Sequence, residues 1–493
     1  MNDKLSQAMD HISDRHLSEA AAPVRHRYYP YLGAIAAVLA FVIAIATFFG
    51  PLRGIFSSGT PTTVPILQEG PSTPSHPLSD LPTGTNPNFQ PSTVPSTVPS
   101  TVPSTVLPIP PNDPAYVPIA LPSYKIYAGT PNTYTPDTKD ALSGIANAVL
   151  ANTDGENAVC SPLNIYMTLS MLAEITDGNS RQQILDALDQ TDMATLRSFA
   201  HRLWQDHYKT EGYKTVLANS LWLDTGISYN RETVDMLATY YFASVFLGDL
   251  QGSNIATWLN GESQGLLQKQ IENIHVSPDA IMMLASTINY YAHWDLRTTR
   301  FSESANTTGT FHSPSGPVSA TFMNNTIRSA NFYVGDNCQA IRLTLSDDNY
   351  VWLTLPNEGV NPLSVTDFYR NAGKPKPGDV FLSLPKFDIG TTTDLQNPLK
   401  ELGITDVFSS NADFSAITSH TTLPLQDAEH SVRVSMDEDG VFGSAYTIIS
   451  PPGSSSPSEN LIATLIFDRP FTFTIVSSEG LPLFTGIVNN PTA

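Results

Sequence analysis

The side chains that most often perform hydrolysis occur in this chain without recognisable partners. A serine or cysteine hydrolase combines a nucleophile with a general base and an orienting acid, and a common type of zinc peptidase carries HExxH on one helix. No HExxH motif occurs here, and the two cysteines, Cys160 and Cys338, lie far apart and outside any CxxC or histidine-rich cluster. We therefore predict that the chain is not an enzyme and holds neither a metal ion nor a cofactor.

A stretch near the C-terminus has the residue alternation of a strand and then dissolves into proline and serine. GVFGSAYTIISPPGSSSPS, residues 440–458, follows the acidic residues Glu438 and Asp439. Alternate side chains of a strand face the same side. From residue 441 onward, one side would carry only small or β-branched, uncharged residues, namely Val441, Gly443, Ala445 and Thr447. The other side would carry Phe442, Ser444, Tyr446 and Ile448.

The composition limits the classes of protein that need to be considered. The chain has 493 residues with 41% hydrophobic residues, which suits a globular fold, but its 39 prolines gather near the N-terminus. Its formal net charge of -21 repels phosphate backbones, which argues against a nucleic-acid partner. With so few cysteines, we expect Cys160 and Cys338 to be core residues, and a single bridge between them is the alternative.

The N-terminal region has the pattern of a membrane-anchored stalk. Residues 31–50 form an uncharged apolar run long enough to cross a bilayer as a helix, and three arginines precede it whereas only Arg53 follows closely. This predicts a cytoplasmic tail at 1–30 with the rest outside, and a cleaved signal peptide is the alternative. Residues 51–120 are rich in Pro, Ser and Thr and include the four-residue repeat PSTV, which predicts an extended stalk.

Residues 121–493 have the pattern of a folded α+β domain. Helices are predicted after Pro136, with Leu142, Ile145, Ala146 and Val149 on one face, after Ser161-Pro162, and from Asn179-Ser180 with Ile184, Leu185 and Leu188 inward. Strands with one buried face are predicted at residues 380–389, 430–436 and 471–478.

Several stretches of this domain, taken together and in order, resemble the serpin family. They are AVCSPLNIYMTLSMLAEITDGNSRQQIL at 158–185, ANSLWLD at 218–224, NIATWLNGESQGLL at 254–267, INYYAHWDLRTTRF at 288–301, LPKFDI at 384–389, LKELGITDVFSSNADFSAI at 399–417, DRPFTFTI at 468–475 and LPLFTGIVNNP at 481–491. The resemblance covers residues 121–493, and the transmembrane run and stalk lie outside it.

The resemblance implies a fold of three β-sheets with about nine helices and an exposed reactive-centre loop, and it implies a trap in which the cleaved loop inserts into the main sheet. A target serine protease that cuts the loop stays attached as an acyl-enzyme and is distorted by the insertion. The stretch after Glu438 would be this loop, with the hinge formed by Glu438, Asp439, Gly440, Val441, Gly443, Ala445 and Thr447. Gly440 suits a hinge because glycine has wide backbone freedom.

The loop departs from the pattern of a common inhibitory serpin. Phe442 and Tyr446 are bulkier than the usual hinge residues, and Pro451 and Pro452 cannot donate ladder hydrogen bonds. The loop is also longer, so counting from the hinge predicts the scissile bond between Ser454 and Ser455, whereas counting back from Pro470 leads to residues 459–460. We prefer the hinge count because distortion of the protease depends on that length.

The resemblance also implies a polar cluster beneath the sheet that opens. Ser161 and His430 match its serine and histidine, whereas Asn164 stands where a serine is usual and Ser286 where an asparagine is usual. The exchange leaves a hydrogen-bonded network feasible. We interpret His430 as a residue that holds the sheet closed, not as a catalytic base.

Two functions follow from these observations. The first is a monomeric extracellular suicide inhibitor of an elastase-like or subtilisin-like serine protease, carried on the membrane, with a bacterial surface as the expected setting. The acidic net charge argues against a glycosaminoglycan cofactor. The alternative is a non-inhibitory surface binding protein of the same fold. The N-glycosylation triplets at Asn306 and Asn324 would matter only outside bacteria.

Overall fold

The computed structural model describes the C-terminal part of the chain with short gaps. The described residues are 116–123, 134–152, 155–209, 214–250, 253–265, 267–271, 276–277, 280–419, 424–425, 428–442 and 461–493. Among these residues, no helix combines the length and apolar character that crossing a bilayer requires. The predicted transmembrane run at 31–50 and the stalk up to residue 115 lie outside the described residues.

Eight α-helices occur in the described residues. They are α1 (Pro136–Ala151), α2 (Pro162–Ile175), α3 (Gly178–Ala187), α4 (Met193–His207), α5 (Arg231–Tyr240), α6 (Asn254–Glu262), α7 (Gln268–Ile271) and α8 (Gln396–Glu401). Short 3-10 helices span Glu303–Ala305, Pro362–Val365, Phe368–Arg370 and Asp406–Phe408.

The first helices begin where the sequence indicated. The Thr135 side chain caps α1, the Ser161 side chain caps α2, and each helix has proline in its first turn, where the missing N–H costs nothing. The predicted inward residues of α1, Leu142, Ile145, Ala146 and Val149, are all buried. α3 begins at Gly178, one residue before the predicted start, and buries Ile184 and Leu185 as expected.

Seventeen strands occur in the described residues. They are β1 (Val117–Ala120), β2 (Ala158–Cys160), β3 (Lys214–Asp224), β4 (Ala243–Gly248), β5 (Met282–His293), β6 (Thr307–Ser313), β7 (Gly316–Ile327), β8 (Asn331–Val334), β9 (Cys338–Thr344), β10 (Tyr350–Pro356), β11 (Asp379–Pro385), β12 (Phe387–Asp394), β13 (Glu429–Met436), β14 (Gly440–Phe442), β15 (Leu461–Ile466), β16 (Phe471–Val476) and β17 (Pro482–Val488).

These strands form three sheets, which confirms the predicted α+β architecture with three sheets. The seven-stranded sheet has the order β1-β4-β3-β5-β14-β13-β12, the six-stranded sheet β2-β17-β16-β10-β9-β8, and the four-stranded sheet β15-β11-β7-β6. A continuous core of apolar side chains lies between these sheets and the helices, and α2 lies within it with thirteen of its fourteen residues buried.

Two of the three strand predictions need correction. Residues 380–389 form two strands rather than one, because the chain leaves the four-stranded sheet at Pro385 and enters the seven-stranded sheet at Phe387. β16 is buried on both faces, not one, because it lies between β17 and β10 in the middle of its sheet and is covered on each side. β13 alternates between buried and partly exposed residues as predicted.

Both cysteines are buried and unpaired, Cys160 in β2 and Cys338 at the start of β9. The prediction of two core cysteines is therefore confirmed, and the alternative of a bridge is excluded. Burial raises the pKa of the Cys338 thiol to about 11, so this group stays protonated at neutral pH.

A buried ion pair joins α2 to α4. The Glu174 side chain is only 3% exposed, and its two oxygens accept hydrogen bonds from Arg197 Nη2 at 2.6 Å and Nε at 2.7 Å. The Tyr241 hydroxyl donates a third hydrogen bond to Glu174 at 2.8 Å. Because the carboxylate is fully matched, losing the arginine would leave an uncompensated charge in the core.

We expect Arg197→Met to lower the free energy of unfolding by about 3–5 kcal/mol, because Glu174 would lose its partner while remaining buried. Arg433 also makes a two-point contact with Asp388, but both side chains are more than a third exposed. Arg433→Met is therefore the matched control, with an expected loss of at most about 1 kcal/mol. Urea denaturation measures both variants, and equal losses would contradict the role given to Glu174.

Candidate functional site

β14 occupies a position between two parallel strands of the seven-stranded sheet. Gly440, Val441 and Phe442 pair antiparallel with His293, Ala292 and Tyr291 of β5. On the other side, Val441 and Phe442 pair with Met436 and Ser435 of β13. The first residues of the predicted loop are therefore already a strand of the main sheet.

Beyond Phe442, the same position is not filled by a described strand. β5 pairs only with β3 and β14, and β13 pairs only with β12 and β14, so these two fully described strands share no ladder with each other. A cavity of about 220 Å³ lies there, between the starts of β5 and β13, and its walls are mostly apolar, including Leu169, Leu172, Ile271, Leu284, Leu399 and Phe414. We call this position between β5 and β13 the slot.

A tight turn at residues 437–440 brings β14 back alongside β13. The Asp437 N–H donates to the Gly440 carbonyl at 3.1 Å, and the Asp437 carboxylate accepts from the Asp439 N–H at 2.9 Å. The end of β5 holds this turn, since Trp294 donates through its indole to the Asp437 carbonyl at 2.8 Å and through its backbone to the Asp439 carbonyl at 3.1 Å. Two hydrogen bonds thus connect the hinge to the residue that directly follows β5.

Two residues hold Glu438, namely Lys386 between β11 and β12 and Asn306 directly before β6. Its carboxylate lies 2.6 Å from Lys386 Nζ and accepts a hydrogen bond from Asn306 Nδ2, and its side chain is 10% exposed. Burial raises the pKa of Glu438, but these two donors outweigh it and leave the pKa below its ordinary value. No pattern in the sequence indicated a role at the hinge for Lys386, Asn306 or Trp294. The LPKFDI stretch contained Lys386, but sequence spacing did not reveal its contact with the hinge.

Gly440 and Val441, two residues of the predicted hinge, lie in β14, and Gly440 has a reason of its own to be glycine. Its φ is +155°, and a Cβ there would lie 2.2 Å from the Ala292 carbonyl oxygen. Any other residue would therefore collide with β5. Val441 is 1% exposed and packs in the core, which agrees with the predicted inward face. Gly443, Ala445, Thr447 and the candidate scissile residues Ser454 and Ser455 lie outside the described residues.

The four residues of the predicted polar cluster form two adjoining contacts beneath the slot. In the first, the Ser161 N–H donates to His430 Nε2 at 3.0 Å, so this ring nitrogen is an acceptor and carries no proton. Ser161 Oγ donates to the Leu483 carbonyl at 2.7 Å and accepts from the Asn164 N–H at 3.3 Å. This contact connects β13 to the start of α2.

The second contact connects α2 to β5. With its amide oriented to satisfy both ends, Asn164 donates to Ser286 Oγ at 3.2 Å and accepts from the Ile288 N–H at 3.1 Å. Ser286 Oγ donates in turn to Asn219 Oδ1 of β3 at 2.7 Å, a residue that sequence analysis missed. Polar groups from both sides of the slot therefore meet on α2. That His430 holds the sheet closed stays a prediction.

The sequence also contains a short catalytic motif that the prediction of a non-enzyme did not take into account. GESQG at residues 261–265 has the GxSxG spacing of a nucleophile elbow, which exposes its serine between a strand and a helix. Ser263 instead follows the C-terminal end of α6, is 1% exposed, and donates to the Asn260 carbonyl at 3.4 Å. The context of a nucleophile is missing there. Among the described residues, no group of three or more His, Cys, Asp or Glu side chains could hold a metal ion.

We expect the stability of the protein to fall between pH 6.5 and pH 4 in a way that depends on His430. Burial lowers the pKa of His430 to about 4, whereas an unfolded histidine has a pKa of about 6.5. Between these values the unfolded chain binds more protons, so the stabilisation is complete above pH 6.5 and is lost as the pH falls to 4, by about 3 kcal/mol in all.

His430→Gln should lower the slope of the unfolding free energy against pH by the equivalent of about one bound proton. The amide oxygen can still accept the hydrogen bond from Ser161, but it does not titrate. His312 is exposed, so His312→Gln is the matched control and should leave the slope unchanged. The measurement is the free energy of unfolding in urea across this pH range. An unchanged slope in His430→Gln would show that His430 is not buried as a neutral acceptor.

Comparison with known proteins identifies the family. Residues 143–491 match the family model described as Serpin (serine protease inhibitor). The mouse (Mus musculus) plasma serine protease inhibitor is 26% identical over 380 residues, which cover 72% of this chain and 90% of that protein.

Solved structures agree at the level of the fold. The native thermophilic serpin tengpin has a TM-score of 0.65 at 23% identity, covering 73% of this chain and 96% of its own. Thyroxine-binding globulin in complex with thyroxine has a TM-score of 0.58 at 21% identity, covering 73% and 100%. Because the family match spans well over half of the chain and agrees with the three sheets and the slot, the protein belongs to the serpin family.

Proposed function

We propose that this serpin inhibits a serine protease by inserting its cleaved loop into the slot. The observation that carries the proposal is β14, whose three residues already lie between β5 and β13, whereas no described strand lies between them beyond Phe442. Strand addition to a sheet satisfies the backbone groups of both neighbours, as serpin loop insertion does. The relative named a plasma serine protease inhibitor supports the same activity.

The register of β14 supports the predicted orientation of the loop. Each step forward along β14 is one step back along β5 and β13, so a continued strand would bring Thr447 opposite Ser286 and His430. Val441 is buried, and Gly443, Ala445 and Thr447 would share its face by the period of two. The inserted loop would therefore meet the polar cluster with a small hydroxyl-bearing residue.

The same register accounts for the two prolines of the loop. A continued strand would reach Met282, the first residue of β5, at position 451. Pro451 and Pro452 would then fall at the end of the slot, where a missing N–H costs little. Insertion of about ten residues would gain backbone hydrogen bonds of roughly 1 kcal/mol net each, together with apolar burial in the cavity.

The position of the domain outside the cell also belongs to the proposal. Residues 31–50 would anchor the chain in the membrane. The part of the predicted stalk that precedes β1, residues 51–115, could extend roughly 200 Å at about 3.1 Å per residue. The domain would then meet its target protease as a monomer well away from the bilayer. A scissile bond at Ser454-Ser455 favours an elastase-like or subtilisin-like protease, since both accept small residues.

A second candidate function is a non-inhibitory binding protein of the same fold. The bulky residues Phe442 and Tyr446 favour it, because inhibitory hinges use smaller side chains. The structural likeness to thyroxine-binding globulin, a protein solved with a bound ligand, is compatible with this alternative.

We expect the protein to form an SDS-resistant adduct when mixed with an elastase-like or a subtilisin-like protease, and to form none with a trypsin-like protease. Mass spectrometry of the released C-terminal peptide would locate the cut. Nicking of the loop by a protease that escapes should raise the melting temperature sharply, because the loop fills the slot. Clean cleavage without an adduct, and without a rise in melting temperature, would favour the binding protein instead.

Thr447→Arg should convert the inhibitor into a substrate, with at least about a 100-fold loss of adduct, because a buried arginine beneath the sheet would lack a partner. Tyr446→Arg is the matched control, since position 446 would face solvent after insertion, and it should retain most of the adduct. The yield of adduct per cleavage event measures both. Equal effects of the two substitutions would contradict the proposed register.

A further inference from the structure

Residues 116–120, which sequence analysis included in the stalk, are an integral part of the seven-stranded sheet. β1 pairs antiparallel with β4 at the outer edge, with Val117 opposite Leu247 and Pro118 opposite Phe246. An edge strand tolerates Pro118 because its outer side needs no partner. Arg231 Nη1 of α5 donates to the Ile119 carbonyl at 3.0 Å. We call residues 116–120 the strap.

Tyr116 anchors the strap in a site shaped for its ring. It is 4% exposed, and its hydroxyl donates to the Asp249 carbonyl. Its ring lies where a side chain of residue 248 would otherwise be, since a Cβ on Gly248 would come within 2.2 Å of Tyr116 Cδ1. The strap and β4 are therefore complementary at this point, and a glycine is required opposite the tyrosine.

Tyr116 also belongs to the apolar cluster that fastens α6 to the sheet. Its ring meets Trp222 of β3 edge-on at 4.9 Å, and Trp222 meets Trp258 of α6 in the same way at 6.3 Å. The cluster further contains Ile255 and Leu259 of α6, and Leu267 and Ile271 from the segment that follows. Contacts therefore run without interruption from the strap through β3 to the helix.

α6 and α7 lie over the slot. α6 packs on β3 and β5, on one side of the slot, whereas α7 lies against β12 and β13 on the other. The cavity is also lined by Leu259, Leu267 and Ile271. A strand in the slot needs a spacing of about 4.8 Å to each of its two neighbours, so α6 and α7 would have to yield wherever β5 and β13 lie too close together for that.

We propose that the strap controls how readily α6 and α7 lift from the slot. The strap, which directly follows the stalk, holds the helix that covers the sheet, so the attachment of the domain to its stalk and the opening of the sheet are coupled. This goes beyond the proposed function, because the strap holds α6 whether or not the protein traps a protease. A cut or displacement at residues 116–120 would loosen α6 and favour insertion of the loop.

The test is hydrogen–deuterium exchange of the amides of Asn254–Glu262 in the full-length chain in detergent micelles. Tyr116→Ala should increase their exchange rates at least tenfold, and Tyr116→Phe, which keeps the ring, should stay within twofold of the unmodified protein. Val117→Ala is the matched control from the same strand, because Val117 is 55% exposed, and it should also stay within twofold.

Gly248→Ala gives a second route that leaves the strap itself unaltered. Its added Cβ should displace the Tyr116 ring and raise the exchange of α6 as Tyr116→Ala does. The amides of α6 in the double variant Tyr116→Ala/Gly248→Ala should then exchange no faster than in Tyr116→Ala alone, because the Cβ of residue 248 no longer meets a ring at position 116. Additive effects would mean that Gly248 acts on β4 rather than on the strap, which would overturn the inference.

Two further results would also overturn it: exchange of α6 unchanged in Tyr116→Ala, or faster exchange confined to Ala243–Gly248. The first would mean that the strap does not hold the helix, and the second that it only covers the edge of β4. The melting temperature after nicking separates this inference from the proposed function. If nicking never raises it while α6 still loosens in Tyr116→Ala, the strap is supported and the inhibitory mechanism fails.

Discussion

One strand position, which the described residues fill at only one end, governs the arrangement of this protein. Three residues of β14 lie between β5 and β13, and beyond them these two strands share no ladder and border an apolar cavity. Backbone N–H and C=O groups inside a sheet need partners, so a strand that completes the position would lower the free energy. The stretch directly after β14 has the alternation of a strand, and the proposed insertion would continue the register of β14.

Polar contacts at both ends of the slot oppose that completion. At the top, Trp294 and Lys386 hold the turn and Glu438, so the hinge cannot move without breaking hydrogen bonds and an ion pair. Nearer the starts of β5 and β13, two contacts reach α2 from opposite sides of the slot. His430 contacts Ser161, and Ser286 contacts Asn164. Buried polar groups that are fully paired are expensive to separate, so these contacts would resist a separation of β5 from β13.

The sequence predicted the residues of the site better than their partners. The cluster of Ser161, Asn164, Ser286 and His430 could be named in advance because its members resemble a family pattern, and the inward position of Val441 followed from the strand period. Asn306, Asn219 and Trp294 were missed, because their contacts join residues more than sixty positions apart in the chain. GESQG shows the opposite error, since a short motif has no catalytic meaning without its strand and helix.

By itself the sequence determined the class of the fold, the start of the first helices, and the alternation of small and bulky side chains after Glu438. These are local properties, set by capping residues, proline and side-chain period. Tertiary structure alone decided that β16 is buried on both faces, that the strap belongs to the main sheet, and that Gly440 must lack a side chain. Each of these depends on which strand lies alongside, and neighbours in a sheet are chosen by packing between distant segments that no local pattern records.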